Sequence, residues 1–151
     1  MYDLVSSDGG EEIKFVGFFK EMVAGESSFY RESVSIAVDG TTIYSPDDVI
    51  GYLDSGYPII DVMEGTVDII GGIFRVPGGS SVLSDGEFVW RMDLTSYVRH
   101  HKISLPMDFL EIMTKNNFTV PRVTQDDLIE ISTTVTKSLG FRSDPGSAPR
   151  G

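Results

Sequence analysis

Apolar positions along this chain change period several times, and each change marks an element. Phe15, Phe19, Met22 and Val23 recur at i, i+4, i+7 and i+8, the spacing of one helix face. Ser7-Asp8 with Glu11-Glu12 supplies an acidic start and Gly25 a stop, so a helix is expected over about residues 10–24. The aromatic density from Phe15 to Phe19 leaves a strand as the alternative reading there.

A hairpin pattern follows. Ser33-Val34-Ser35-Ile36-Ala37-Val38 alternates polar and apolar, Asp39-Gly40 intervenes, and Thr41-Thr42-Ile43-Tyr44 continues. Asp-Gly between two such segments predicts a two-residue hairpin, because glycine accepts positive φ. Ser45-Pro46-Asp47-Asp48 then reads as N-cap, first-turn proline and acidic first turn, with Val49, Ile50 and Leu53 facing inward and Gly56 closing the helix.

Residues 57–91 predict a β region. Strands are expected at Pro58–Val62, Thr66–Ile70, Gly72–Val76, Ser81–Leu83 and Glu87–Arg91, separated by turns at Glu64-Gly65, Gly71-Gly72, Pro77-Gly78-Gly79-Ser80 and Ser84-Asp85-Gly86. Three helices complete the pattern. Asp93 starts one that carries Leu94, Tyr97 and Val98 to about His101. Ser104 and Pro106 start a second, with Met107, Phe109, Leu110 and Met113. Thr124 with Asp127 caps a third, with Leu128, Ile131 and Val135 as its stripe and Gly140 as its stop. Trp90, Tyr97 and Phe109 are spaced for a core. The expected fold is a single α+β domain over residues 1–140, an antiparallel β-meander with helices packed on one face. Residues 141–151, rich in Gly, Pro and Ser, are expected to form a loose tail.

Composition supports a packed globular chain: 151 residues, 40% hydrophobic and 11% aromatic, a size that buries roughly 70% of the unfolded surface. The absence of cysteine excludes disulfides and cysteine-ligated zinc. No basic segment with an apolar core opens the sequence, and no apolar run approaches the ~20 residues that span a bilayer. A cytoplasmic location without membrane association is expected.

Charge changes the picture more than composition does. The net charge is −11, and residues 1–70 hold fourteen acids against three bases, whereas residues 71–151 hold nine of each. Such a field speaks to partners: it repels nucleic acid and anionic membrane and attracts a basic protein surface. Candidate contacts are the acids of the β region (Asp61, Glu64, Asp68), the hairpin tip Asp39, and Pro77, Gly78, Gly79, Ser80 and Ser81. That last run reads as a thin finger whose small side chains let backbone approach closely.

Candidate chemistry is sparse. His100 and His101 are the two histidines, and adjacent helical residues point about 100° apart, so they cannot share a metal as an i, i+4 pair does. They read as a polar helix end. Asp47-Asp48 and Asp126-Asp127 are explained by helix N-termini. No G-x-G-x-x-G, Walker or G-x-S-x-G pattern occurs, and Arg91, Arg99 and Lys102 are too few for a nucleic-acid stripe. No catalytic residue, metal or cofactor is assigned.

The stretch Asp85-Gly86-Glu87-Phe88-Val89-Trp90-Arg91-Met92-Asp93-Leu94-Thr95-Ser96-Tyr97-Val98, followed by Ile103-Ser104-Leu105-Pro106-Met107-Asp108-Phe109-Leu110, resembles a pattern found in small bacterial toxin-immunity proteins. The resemblance covers about residues 81–112, with an echo at Tyr52–Gly56. Those proteins are cytosolic inhibitors encoded beside secreted toxins. The overall look of the chain is similar to the immunity factors of necrotizing toxins of the mycobacterial, NAD-hydrolysing kind. The resemblance implies a non-catalytic antitoxin, monomeric when free, that plugs the NAD cleft of a cognate toxin. Two rival readings are a nuclease inhibitor whose acids stand in for phosphates, and a non-catalytic adaptor subunit. An enzyme built on a carboxylate pair is a further rival.

Overall fold

The computed structural model describes residues 4–6, 12–23, 30, 32–34, 37 and 43–139. Five strands form one mixed sheet in the order β1 (Leu4–Ser6), β2 (Glu12–Val16), β7 (Phe88–Arg91), β6 (Val82–Ser84) and β3 (Tyr57–Ile60). Two short strands, β4 (Thr66–Val67) and β5 (Arg75–Val76), pair separately as an antiparallel flap. Four α-helices are described: α1 (Pro46–Asp54), α2 (Leu94–His101), α3 (Met107–Lys115) and α4 (Gln125–Ser138). The class is α+β, as the sequence pattern predicts. No described helix is long and apolar enough to cross a membrane.

The sheet is antiparallel at β1–β2, β3–β6 and β6–β7, and parallel at β2–β7, where Lys14, Phe15 and Val16 lie opposite Phe88, Val89 and Trp90. The sheet is therefore mixed, and not a simple meander. Alternation along the strands builds two cores. Val16, Leu83, Phe88 and Trp90 face α1, α2 and α3, and pack with Tyr52, Leu53, Leu94, Tyr97 and Phe109. Ile13, Phe15, Val82 and Val89 face the other way and pack with Ile131 and Val135 of α4. Three helices thus cover one face and α4 covers the opposite one, so the helices do not all pack on one face as expected.

The helix expected over residues 10–24 is corrected. Residues 12–16 are a strand, and a single 3-10 turn follows at Lys20–Met22. The reason is burial on both faces: Ile13 and Phe15 fill one core and Val16 fills the other, so an inner strand reads as a near-continuous apolar run. Gly17 ends it at φ +80, and its N–H donates to the Glu32 carboxylate at 2.9 Å. The alternating strand expected from Ser33 is also replaced at its described positions: the Ala37 N–H bonds the Ser33 carbonyl at 3.1 Å, an i→i−4 helical turn. The Asp39-Gly40 turn and residues 140–151 lie outside the described residues.

Helix α1 forms where Pro46, Asp47 and Asp48 predict it, but Ser45 makes no side-chain capping bond. Thr124 does cap α4, accepting from the Asp127 N–H at 3.2 Å. Trp90 is fully buried and donates its Nε1–H to the Leu53 carbonyl at 3.2 Å, near the C-terminus of α1. The placement of Trp90, Tyr97 and Phe109 in the core is borne out.

Candidate functional site

Two segments singled out in the sequence, the acidic β-region loop and the Pro77–Ser81 turn, meet in the structure. The Val62 N–H donates to Ser81 Oγ at 2.8 Å, and the same hydroxyl lies 3.2 Å from the Val62 carbonyl as donor. Both backbone polar groups of Val62 are thereby held by one side chain. Gly78, at φ +66, passes so close that an added Cβ would stand 2.9 Å from the Val62 carbonyl oxygen. The loop between β3 and β4 is anchored at this point, and Asp61, Met63, Glu64 and Gly65 are exposed around it.

Beneath the loop lies an ionic platform. Arg91 and Asp93 form a two-bond pair, Nε to Oδ1 at 3.2 Å and Nη2 to Oδ2 at 2.8 Å. Their side chains are 6% and 2% exposed, so the pair is desolvated. Burial pushes the Asp93 carboxyl above its ordinary value, against the pull of the Arg91 charge. The Thr66 hydroxyl donates to Asp93 Oδ2 at 2.9 Å, and the Asp93 N–H bonds the Gly79 carbonyl at 3.0 Å. An added Cβ on Gly79 would meet Thr66 Oγ1 at 1.9 Å. The glycine is thus required by close packing between the turn and the flap.

These contacts correct the expected finger. Ser81 and Gly79 are buried, and the turn's backbone is bonded within itself and to residues 92 and 93. The run from Pro77 to Ser81 is a buttress, with Pro77 at the surface and Gly78 and Ser80 half-buried. Its glycines serve close approach inside the chain.

Asp68 does not share a surface with Asp61 and Glu64. It is buried, and its carboxylate accepts from the Ile70 N–H at 2.8 Å, the Ile73 N–H at 3.1 Å and His101 Nε2 at 2.9 Å. Burial alone would raise its carboxyl pKa. The hydrogen bonds from Ile70, His101 and Ile73 outweigh that and hold it below the ordinary value. Phe74 packs edge-on against Tyr97, with ring centres 4.9 Å apart, and stacks on His100 at 5.2 Å. The Tyr97 hydroxyl accepts from the Ile69 N–H at 3.0 Å, and burial pushes the Tyr97 phenol up to about 12. Asp68, the two histidines and Phe74 fasten the flap to α2.

Exposed acids precede the flap, and the flap adds one exposed base, Arg75, whose guanidinium comes within 3.5 Å of where a Gly65 Cβ would stand. Asp47, Asp48 and Asp54 are exposed on α1, together with Gly51, whose Cβ position is open. With Asp61 and Glu64 they make five exposed acids, and no lysine or arginine occurs between Arg31 and Arg75. Asp39 lies outside the described residues.

A separate concavity of about 630 Å³ lies between residues 43–45 and α3, lined mainly by Ile43, Tyr44, Met107, Leu110 and Phe118, with Glu111 and Lys115 also in its wall. Among the described residues no group of three or more His, Cys, Asp or Glu side chains is arranged to hold a metal ion. Comparison of the chain with protein-family models, curated proteins and solved structures found no match.

Sequence reasoning missed Met63, which is 94% exposed. It follows the expected strand Pro58–Val62 and carries no periodicity or charge signal of its own, and the Ser81 hydroxyl fixes the backbone one residue before it.

Proposed function

We propose that this protein is a cytoplasmic inhibitor of the immunity type, which binds a basic cognate toxin and covers its active site without chemistry of its own. The supporting observation is an excess of exposed acid: Asp47, Asp48, Asp54, Asp61 and Glu64 are exposed within a stretch of sequence that has no base. Such a surface raises the rate of encounter with a positive partner and discriminates against a negative one. The resemblance of residues 81–112 to toxin-immunity proteins supplies the class of partner, and the overall look of the chain makes an NAD-hydrolysing toxin the favoured target. In the second reading, the same acids stand in for nucleic-acid phosphates and the target is a nuclease.

The test mixes the purified chain with the product of the adjacent reading frame, the proposed toxin, and follows NAD hydrolysis and nuclease activity. Stoichiometric loss of one activity is expected and names the target chemistry. Reversal of Asp47, Asp48, Asp61 and Glu64 to Lys is expected to slow association by about tenfold or more and to flatten its salt dependence. Buried Asp68 is left in place. Unimpeded activity at equimolar inhibitor, or an unchanged association rate, overturns the reading.

A further inference from the structure

We infer that Met63 is the anchor of the interface: the loop from Asp61 to Gly65 inserts this side chain into an apolar pocket, rimmed by lysine or arginine, on a basic protein partner. The inference rests on the proposed binding function and names the contact that would hold the complex together.

Exposure alone does not carry it, since single apolar side chains on a surface are common. Presentation does. Met63 is 94% exposed, more than any other large exposed apolar residue described. The residue before it has both its N–H and its carbonyl fixed by Ser81 Oγ. Gly78 packs against the same carbonyl, and the flap behind the loop is tied through Thr66 to the buried Arg91–Asp93 pair. With its backbone fixed at Val62, the segment has less freedom left to lose on binding. Methionine suits the task because its unbranched, polarisable side chain fills irregular apolar pockets.

Charge specifies the rim. Asp61 and Glu64 flank Met63 and are exposed, and Arg75 of the flap comes within 3.5 Å of where a Gly65 Cβ would stand, so two acids against one base leave the loop net negative. An apolar pocket edged by acids would be repelled, whereas one edged by lysine or arginine would be guided onto the anchor. A desolvated anchor inside a charged rim is the usual division between affinity and steering.

The experiment measures association and dissociation rates of the full chain with the product of the adjacent reading frame, the proposed basic partner. Met63→Ala is expected to speed dissociation by about tenfold or more and to leave association nearly unchanged, with Met63→Leu restoring most of the loss. The thermal midpoint of Met63→Ala should match the parent, because the side chain supports nothing within the fold. A Met63→Ala dissociation rate within twofold of the parent overturns the inference. If the charge-reversed variant still associates slowly in that case, the binding function stands without this anchor. A parent chain that binds no basic partner overturns both. Concentration-dependent dimerisation that disappears in Met63→Ala also overturns the inference, because the occupant would then be a second copy of the chain.

Discussion

Asp68 and His101 meet at 2.9 Å beneath the flap, thirty-three positions apart in the chain, with the carboxylate fully enclosed. This contact and the two amide bonds to Asp68 turn a run of small and apolar residues, 69–73, into an ordered loop. The acid is a structural keystone of the flap.

Replacing Asp68 with Asn keeps the size but presents an NH2 group where a carboxylate oxygen now accepts. A buried donor or acceptor left without a partner costs about 1–3 kcal/mol, and that is the expected loss in urea unfolding at pH 7. Because the native carboxyl is held below its ordinary value, its stabilisation is complete above the unfolded pKa of about 3.9 and fades as the pH falls through the lower native value. The gap between parent and variant should therefore close in acid. A gap of the same size at pH 7 and pH 3 would refute this account.

The Arg91–Asp93 pair should be far more sensitive to loss of one partner than of both. Arg91→Met leaves Asp93 buried and charged, with an expected cost of about 3–5 kcal/mol. Burial already raises the Asp93 carboxyl, and loss of Arg91 raises it further, so the variant should regain stability as the pH falls toward the carboxylate range. Combining Arg91→Met with Asp93→Asn should recover part of the loss. A double-mutant cycle that shows simple additivity would refute the coupling.

Gly56 is constrained by its neighbour and not by its own backbone. A Cβ there would meet Trp90 Cζ2 at 2.5 Å and Leu83 Cβ at 3.1 Å. Gly56→Ala is expected to destabilise by about 1–3 kcal/mol through overpacking, measurable as an earlier urea midpoint with changed tryptophan fluorescence. Gly51→Ala, which meets open space on α1, should instead be neutral or stabilising by about 0.5–1 kcal/mol.

Local pattern served best where local chemistry decides the outcome. The helix from Gln125 starts at a Thr124–Asp127 cap and buries Ile131 and Val135 as their spacing predicts, although Leu128 of the same stripe is half-buried. The short strands from Tyr57 to Arg91 lie close to their expected places, because glycine turns and alternation are near-neighbour signals. Pattern failed where distant segments decide. The Lys14 N–H bonds the Glu87 carbonyl at 3.1 Å across seventy-three positions, and that parallel pairing makes residues 12–16 a strand despite their helix-like spacing. Among the candidate contacts, Asp61 and Glu64 lie on the surface as their charge suggests, while Asp68 and Ser81 are drawn inward by partners no local window contains.

The sequence by itself determined the α+β class, the four helices between Pro46 and Ser138, the aromatic core residues and the acidic first part of the chain. Each follows from periodicity, capping or summed charge, which are properties of neighbours or totals. Tertiary structure alone decided that β2 joins β7, that Asp68 goes to His101, and that Ser81 holds Val62, the residue before exposed Met63. Burial and hydrogen bonding between remote residues set those outcomes, since a buried polar group goes to whichever partner the fold brings within reach.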